Sequence, residues 1–198
     1  YAKGDGKGLN RAVYGEEMAD KVDSHYQQSI KNGWLPDYSK TPWRMAFMAG
    51  HNTANWRAAG TRFRETVLAK LETIVTMTPD MSVTAMYSDY VLPVSHHYER
   101  QDFVMEGRTP YVQVLDEAVP PLGESVDDWT IMDRLAKAIS AKATARQLAP
   151  IKDTFYGRPI EHDYAKVHDL YTLNGSMKST RDVAQFLLDN SFGVPKMS

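Results

Sequence analysis

Residues 45–93 read MAFMAGHNTANWRAAGTRFRETVLAKLETIVTMTPDMSVTAMYSDYVLP, and this stretch decides the fold. Met45, Ala46, Phe47, Met48 and Ala49 form an apolar run that stops abruptly at Gly50, as a short buried strand does. After an Asn-rich loop, Phe63, Val67, Leu68 and Leu71 recur at helical spacing over residues 61–71. The run Ile74-Val75-Thr76-Met77-Thr78 is rich in β-branched residues and predicts a second strand. A loop at Pro79-Asp80, a short helix over residues 82–87 and a buried strand Tyr90-Val91-Leu92 closed by Pro93 then repeat the pattern. Strand, helix, strand twice over implies a parallel sheet, so the expected fold is α/β with crossover helices, irregular loops and a helical tail.

Outward from this block the periodicity weakens. Residues 1–9 are rich in Gly and Lys and predict an irregular loop, whereas residues 16–30 predict a helix that stops near Asn32-Gly33. Pro36 and Pro42 bracket a connector. Residues 95–123 contain Pro110, Pro120 and Pro121 and predict mostly loop around one extended piece, residues 111–115. Ser125, with Asp128 three positions on, reads as a capping box. Behind it Trp129, Met132, Leu135, Ala136 and Ile139 form one apolar helical stripe. Residues 150–177 are polar and aromatic without clean periodicity, and Thr180 is expected to cap a last helix containing Val183, Phe186 and Leu187. The expected organisation is a connector and helix over 1–42, an α/β domain over 43–148, and a mixed loop and helix extension over 149–198.

Composition narrows the classes. With 198 residues, 42% of them hydrophobic, the chain can bury one good core. The formal charge is -2, from 23 basic and 25 acidic residues, so no global field recruits nucleic acid, and no nucleic-acid partner is expected. The absence of cysteine excludes a disulfide framework, a thiolate zinc site and a cysteine-ligated iron–sulfur cluster within this stretch. No apolar run approaches the ~18–20 residues that span a bilayer. Because the chain opens at Tyr1 and closes on Pro195, Lys196, Met197 and Ser198, it is expected to be an internal piece of a longer protein.

In an open parallel sheet, ligands bind beyond the carboxyl ends of the strands. Here that place is residues 50–59: Gly50 permits a tight backbone path, Asn52 and Asn55 each donate and accept, and Arg57 adds a fixed positive charge. A phosphate or the edge of a heterocycle suits such a loop. Asn52 and Asn55 read equally well as caps of the following helix. The spacing is neither G-x-G-x-x-G nor G-x-x-x-x-G-K-[ST]. His96 and His97 are adjacent and point in different directions on any regular element, so a shared metal is not expected. His162 and His168 have no second ligand pair at familiar spacing. Asp80, Asp89, Glu99 and Asp102 could do acid–base work, but equally cap helices or pair with a cation such as Arg100. No G-x-S-x-G elbow and no Cys nucleophile is present.

Residues 84–102 contain Thr84-Ala85, Asp89, Val91-Leu92-Pro93 and Glu99, in an order and spacing that resembles a signature of the molybdopterin oxidoreductase (dimethyl sulfoxide reductase) family. The earlier Gly50-His51-Asn52 loop resembles that family's Gly-x-Asn cofactor loop. Tyr98-Glu99-Arg100, Asp102 and the later Asp128-Trp129 are most similar to the branch of nitrate reductases, nitrite oxidoreductases and chlorate, perchlorate and selenate reductases. The resemblance covers roughly residues 43–190.

The resemblance implies a Rossmann-like domain, part of a catalytic alpha subunit, that holds a molybdenum bis(molybdopterin guanine dinucleotide) cofactor. Gly50, His51, Asn52, Asn55, Thr84 and His97 would bind it, with His96 a further pterin neighbour and Asp89 fixing local structure. Many relatives carry an acid six positions before the Thr-Ala pair, where this chain has Thr78, so a guanine-binding acid is not carried over. The molybdenum ligand and an iron–sulfur cluster would lie elsewhere in the full-length parent, so this piece alone would not be catalytic. The implied activity is oxygen-atom transfer on a small oxyanion, nitrite and nitrate first, with chlorate, perchlorate or selenate as alternatives. The implied partners are an iron–sulfur beta subunit and a membrane-anchoring or haem subunit. A non-redox α/β nucleotide- or partner-binding module is the alternative of another class.

Overall fold

A computed structural model describes residues 6–37, 40, 42–56, 59–105 and 112–190, which fall into two compact units. One unit joins residues 1–44 to 149–163, and the other joins 45–148 to 164–198. In the first unit, helix α1 (Gly6–Tyr14) packs on helix α2 (Glu16–Lys31). The first of these begins inside the stretch expected to be a loop. Packing against α2 and the Arg11–Glu16 ion pair at 2.7 Å override the poor helix propensity of its glycines.

The second unit is built on a three-stranded parallel sheet of β1 (Met45–Ala49), β2 (Thr73–Thr78) and β3 (Tyr90–Pro93), in that order. Met45 pairs with Thr73 and Ala49 with Met77, while Val75 pairs with Tyr90 and Thr78 with Pro93. The α/β fold is therefore as its sequence reads. Central β2 buries Ile74, Val75, Thr76 and Met77, as a strand covered on both faces must. The outer strands differ from the buried strands expected. Met45, Phe47 and Tyr90 are exposed; along β1 exposed and half-buried residues alternate, so one face of that strand is left uncovered among the described residues.

Short helices α3 (Thr53–Trp56), α4 (Gly60–Thr66) and α5 (Val83–Met86) lie in the crossovers. Ile74 packs with Ala54 and Leu68, against Met48, Phe63, Leu71 and Val83. A Cβ at Gly60 would stand 2.5 Å from the Ala54 carbonyl oxygen, so only glycine lets α4 start this close to α3. The helix expected over 61–71 breaks at Val67 (φ -112°) and continues as a 3-10 turn, Leu68–Lys70. At the far side Asp89 clamps the start of β2: its carboxylate accepts from Ile74 N at 2.7 Å and its amide donates to Ile74 O.

After β3 the chain forms an antiparallel pair, β4 (Asp102–Met105) and β5 (Val112–Leu115), where mostly loop was expected. Tyr111, in the extended piece foreseen, lies outside the described residues. Helix α6 (Asp128–Ala145) then packs Ile131 on Met77 and Val94. Of the expected stripe Ala136 is buried and Trp129, Leu135 and Ile139 are half-buried, whereas Met132 is exposed and Ile131, outside that stripe, is buried. The cap also moves. Val126 is still extended, bridging Val94, so the helix cannot begin at Ser125. Asp127 caps instead, accepting from Thr130 N at 2.9 Å.

Within the stretch that lacks clean periodicity, β6 (Ile151–Phe155) and β7 (Arg158–His162) form a hairpin in the first unit. In the second unit α7 (Val167–Tyr171) is fastened to α6 by His168 N donating to Ser140 Oγ and by the Tyr171 ring stacked on Trp129. Ser179, rather than Thr180, caps α8 (Thr180–Asp189), because the Thr180 hydroxyl is engaged with Asp127 at 3.0 Å. Among the described residues no helix is long and apolar enough to cross a membrane.

Burial raises the Asp127 carboxyl, but hydrogen bonds from Thr130 and Thr180 outweigh it and hold the group below the ordinary carboxylate value. A lowered folded pKa gives stability that is full above about pH 4 and lost as pH falls through the folded value. In the full-length parent, Asp127→Ala is expected to cost about 1–2 kcal/mol locally. The readout is faster amide exchange over residues 128–131 at neutral pH. The gap to wild type should close once the pH drops below the carboxylate range, and a gap independent of pH would refute the ionised cap.

Candidate functional site

The three parallel strands run the same way, so the loops leaving their carboxyl ends meet on one side of the sheet. Together with Asp128 at the start of α6 they line a cleft of about 480 Å³. Open α/β sheets bind ligands at such a place.

The loop after β1 supplies Gly50, His51 and Asn52, and α3 supplies Trp56. Gly50 has φ +66° and open space around its α-carbon, so backbone conformation rather than crowding calls for glycine. The His51 ring meets Trp56 edge-on at 5.8 Å. Asn52 Oδ1 accepts from Thr84 N at 3.1 Å and from Thr84 Oγ1 at 2.9 Å, while Thr84 Oγ1 accepts from Ala54 N at 3.1 Å. Thr84 is fully buried beneath this bridge. The carbonyl of Asn52 is thereby committed to the loop, which leaves its amide nitrogen as the group to meet a ligand. Asn55 sits on α3 with an exposed side chain and does not line the cleft.

The loop after β2 brings Thr78, Pro79, Asp80 and Ser82. Thr78 Oγ1 donates to Asp80 Oδ1 at 3.0 Å, so a carboxylate stands in the cleft two residues beyond the strand end. The loop after β3 brings Ser95, His96 and His97. His96 N donates to Glu99 Oε2 at 2.9 Å, and its ring stacks on Tyr98 and meets His97 edge-on. Arg100 closes this wall, donating to Ser95 O at 3.3 Å and pairing with Asp102 at 3.2 Å and Asp128 at 2.5 Å.

Gly50, His51, Asn52 and His97 are thus brought together, while Thr84 braces Asn52 from below. Asp80, Ser95, Arg100 and Asp128 join them without having been singled out as ligand contacts. Position gives a partial signal for the first two, which follow strand ends closely. The Arg100–Asp128 pair spans 28 residues and has no local signal. Arg57 lies outside the described residues. His162 and His168 stand elsewhere, bonded to Asp153 and Asp133 respectively. Among the described residues no group of three His, Asp or Glu side chains is placed to hold a metal ion.

Electrostatics select among ligands. The one described cation of the cleft, Arg100, already faces two carboxylates, and Asp80 adds a third. Helices α3 and α5 are single turns that concentrate no useful dipole. The cleft therefore suits the donor and acceptor edge of a heterocycle better than a free phosphate.

A family model for molybdopterin oxidoreductases matches residues 6–138. The chain is similar to dimethylsulfide dehydrogenase subunit alpha of Rhodovulum sulfidophilum, 31% identical over 172 residues, covering 86% of this chain and 18% of the relative. It is 34% identical over 178 residues to respiratory nitrate reductase subunit alpha of Haloferax mediterranei, covering 83% and 18%. It is 29% identical over 188 residues to chlorate reductase subunit alpha of Ideonella dechloratans, covering 92% and 20%. The chain spans about a fifth of the length of these relatives.

Removing the buried bridge should loosen the first loop. Thr84→Val leaves Ala54 N without its acceptor, at a cost of about 1–3 kcal/mol, whereas Thr84→Ser keeps the oxygen. In the full-length parent the valine variant is expected to exchange amides over residues 52–56 about tenfold faster, and the serine variant to stay near wild type. Equal behaviour of both variants would show that the hydroxyl does not hold the loop.

Proposed function

The chain belongs to the molybdopterin oxidoreductase family, and from that membership we propose that it forms one wall of the cofactor site in the catalytic alpha subunit of a larger enzyme. The observation that carries this reading is the cleft at the carboxyl ends of β1, β2 and β3, with His51, Asn52, Asp80 and His97 around it. Its volume, about 480 Å³, takes one heterocyclic portion of a pterin dinucleotide rather than the whole. The donor set fits: an amide nitrogen, imidazoles and a carboxylate can read the mixed edge of a pterin or guanine.

When bound, the molybdenum cofactor supplies the two-electron redox chemistry, and the chain's own residues bind and orient it. Asn52 presents its amide from a loop held by Thr84. Asp80 is set by Thr78 beneath it, and His97 projects from a turn closed by Glu99. The form proposed is the bis(molybdopterin guanine dinucleotide), with an iron–sulfur cluster elsewhere in the parent and an iron–sulfur beta subunit as redox partner.

The substrate proposed first is nitrite or nitrate, supported by likeness to the Haloferax nitrate reductase subunit. Relatives named for chlorate and for dimethylsulfide keep a second reading alive, in which the parent acts on another small oxyanion or on a sulfide. Residues outside this stretch would choose among them.

The test is the molybdenum and pterin content of the purified parent, wild type beside His97→Ala and Asn52→Ala, with nitrate reduction and nitrite oxidation assayed on the same samples. The exposed His97 can be truncated without opening the core, and both variants are expected to retain several-fold less cofactor per polypeptide than wild type. A wild type lacking molybdenum and pterin would sink the reading in favour of a non-redox module. A loaded wild type inactive on both nitrogen oxyanions would move the substrate to the second reading.

A further inference from the structure

Trp56 is the largest side chain lining the cleft, and it stands 66% exposed. A single exposed apolar residue is ordinary on a protein surface, so exposure alone assigns nothing. The mounting of this one sets it apart. Trp56 N donates to Asn52 O at 2.9 Å, which ties the indole's backbone to the residue that offers its side-chain amide to a ligand. Two positions before Trp56, Ala54 is fully buried; its N donates to Thr84 Oγ1 at 3.1 Å and its carbonyl accepts from Arg64 at 2.8 Å. The single turn of α3 is thus clamped at its backbone while the indole it carries is left largely uncovered. The indole meets the His51 ring edge-on, with centroids 5.8 Å apart and planes at 68°. Such a neighbour steadies the indole and covers at most one of its faces.

The chemistry of the ligand follows from that surface. The face of an indole offers no conventional hydrogen bond and carries partial negative charge, so a phosphate or a small oxyanion gains nothing on it. An aliphatic group would bury apolar surface there but would leave the Asn52 amide and the Asp80 carboxylate unanswered. A flat fused heterocycle answers both, because its face and its polar edge are two different surfaces of one ring. Trp56 and Asn52 spring from one hydrogen-bonded turn, so they can meet the two surfaces together.

We propose that Trp56 is a stacking platform for the flat face of the heterocycle whose edge Asn52 meets. The proposal rests on the cofactor-wall reading and adds to it a further binding residue and the way in which the ring is gripped. The platform selects for an aromatic ring of any donor pattern, and the loop groups around it select among such rings.

Three variants of the full-length parent separate stacking from bulk. Trp56→Phe keeps an aromatic face, Trp56→Leu keeps apolar bulk without one, and Trp56→Ala removes both. Each is purified beside wild type in cofactor-loaded form and, from a host unable to make the pterin, in cofactor-free form. The phenylalanine variant is expected to hold pterin near the wild-type level, and the leucine and alanine variants about five- to tenfold less per polypeptide. Without cofactor all four proteins should share one thermal midpoint, since an exposed side chain leaves little packing to lose. On wild type, hydroxyl-radical oxidation of Trp56, read by peptide mass spectrometry, is expected to be several-fold slower in the loaded form than in the cofactor-free form. Trp34, which does not line the cleft, should react alike in both.

Equal pterin in the leucine and phenylalanine variants would overturn the platform, as would wild-type retention in all three. Oxidation of Trp56 at one rate in both forms counts equally against it: a slow rate would mean that polypeptide covers the indole, a fast one that nothing does. A slowing shared by Trp34 would reflect closure of the whole chain, and a clear drop in the midpoint of cofactor-free Trp56→Leu would make the indole part of the packing; either result also sinks the proposal. A wild-type parent without any pterin removes the cofactor reading itself and the platform with it, an outcome distinct from loss of the platform alone.

Discussion

Parallel pairing on both edges of β2 is the constraint from which the rest of the second unit follows. Because β1 and β3 run in the same direction as β2, every carboxyl end lies on one side of the sheet and every connection must cross back over a face. The crossovers carry α3, α4 and α5 onto the Ile74 side, and α6 covers Met77. That coverage makes β2 the most buried strand, and it lets an apolar strand end in polar loops. The cleft is a by-product of strand direction before it is a property of any one side chain.

Two long-range polar ties then convert three loops into one surface. Asn52 and Thr84, 32 residues apart, lock the first loop to the second through a fully buried hydroxyl. Arg100 locks the third loop to β4 and to the start of α6. The first tie lies where water is largely excluded, and there an intact network is stiff while a broken one is costly; the second joins a mostly buried guanidinium to partly exposed carboxylates. The cleft is rigid where the loops cross-brace and polar where they end. Preorganised binding of a large, multiply hydrogen-bonding cofactor needs that combination.

The local readings that survived are those with strong short-range causes. The β-branched run of β2, the Pro93 stop and the α2 stop at Asn32 were legible because each acts within a few residues. The readings that failed did so at points where a distant contact competed. Ser125 lost the cap of α6 because Val126 is held extended by the end of β3, and Thr180 lost the cap of α8 because its hydroxyl is drawn to Asp127. Helix α1 forms in a Gly-rich stretch because α2 supplies a surface to pack on. Strand β4 emerges only with its partner β5, since four residues carry too little pattern alone.

The sequence by itself determined the α/β class and the place of the polar loops after the strands, which are properties of periodicity acting along the chain. The family rests instead on resemblance, carried by Thr84-Ala85, Asp89, Val91-Leu92-Pro93 and Glu99, and on the family model that matches residues 6–138. Only the tertiary structure decided that Asn52 points its carbonyl inward to Thr84, that Asn55 stays off the cleft, that Asp80 enters it, and that Arg100 joins the third loop to the start of α6. The physical reason is that hydrogen bonds and ion pairs between residues about 30 positions apart depend on which loops meet, and no local period of the chain encodes that meeting.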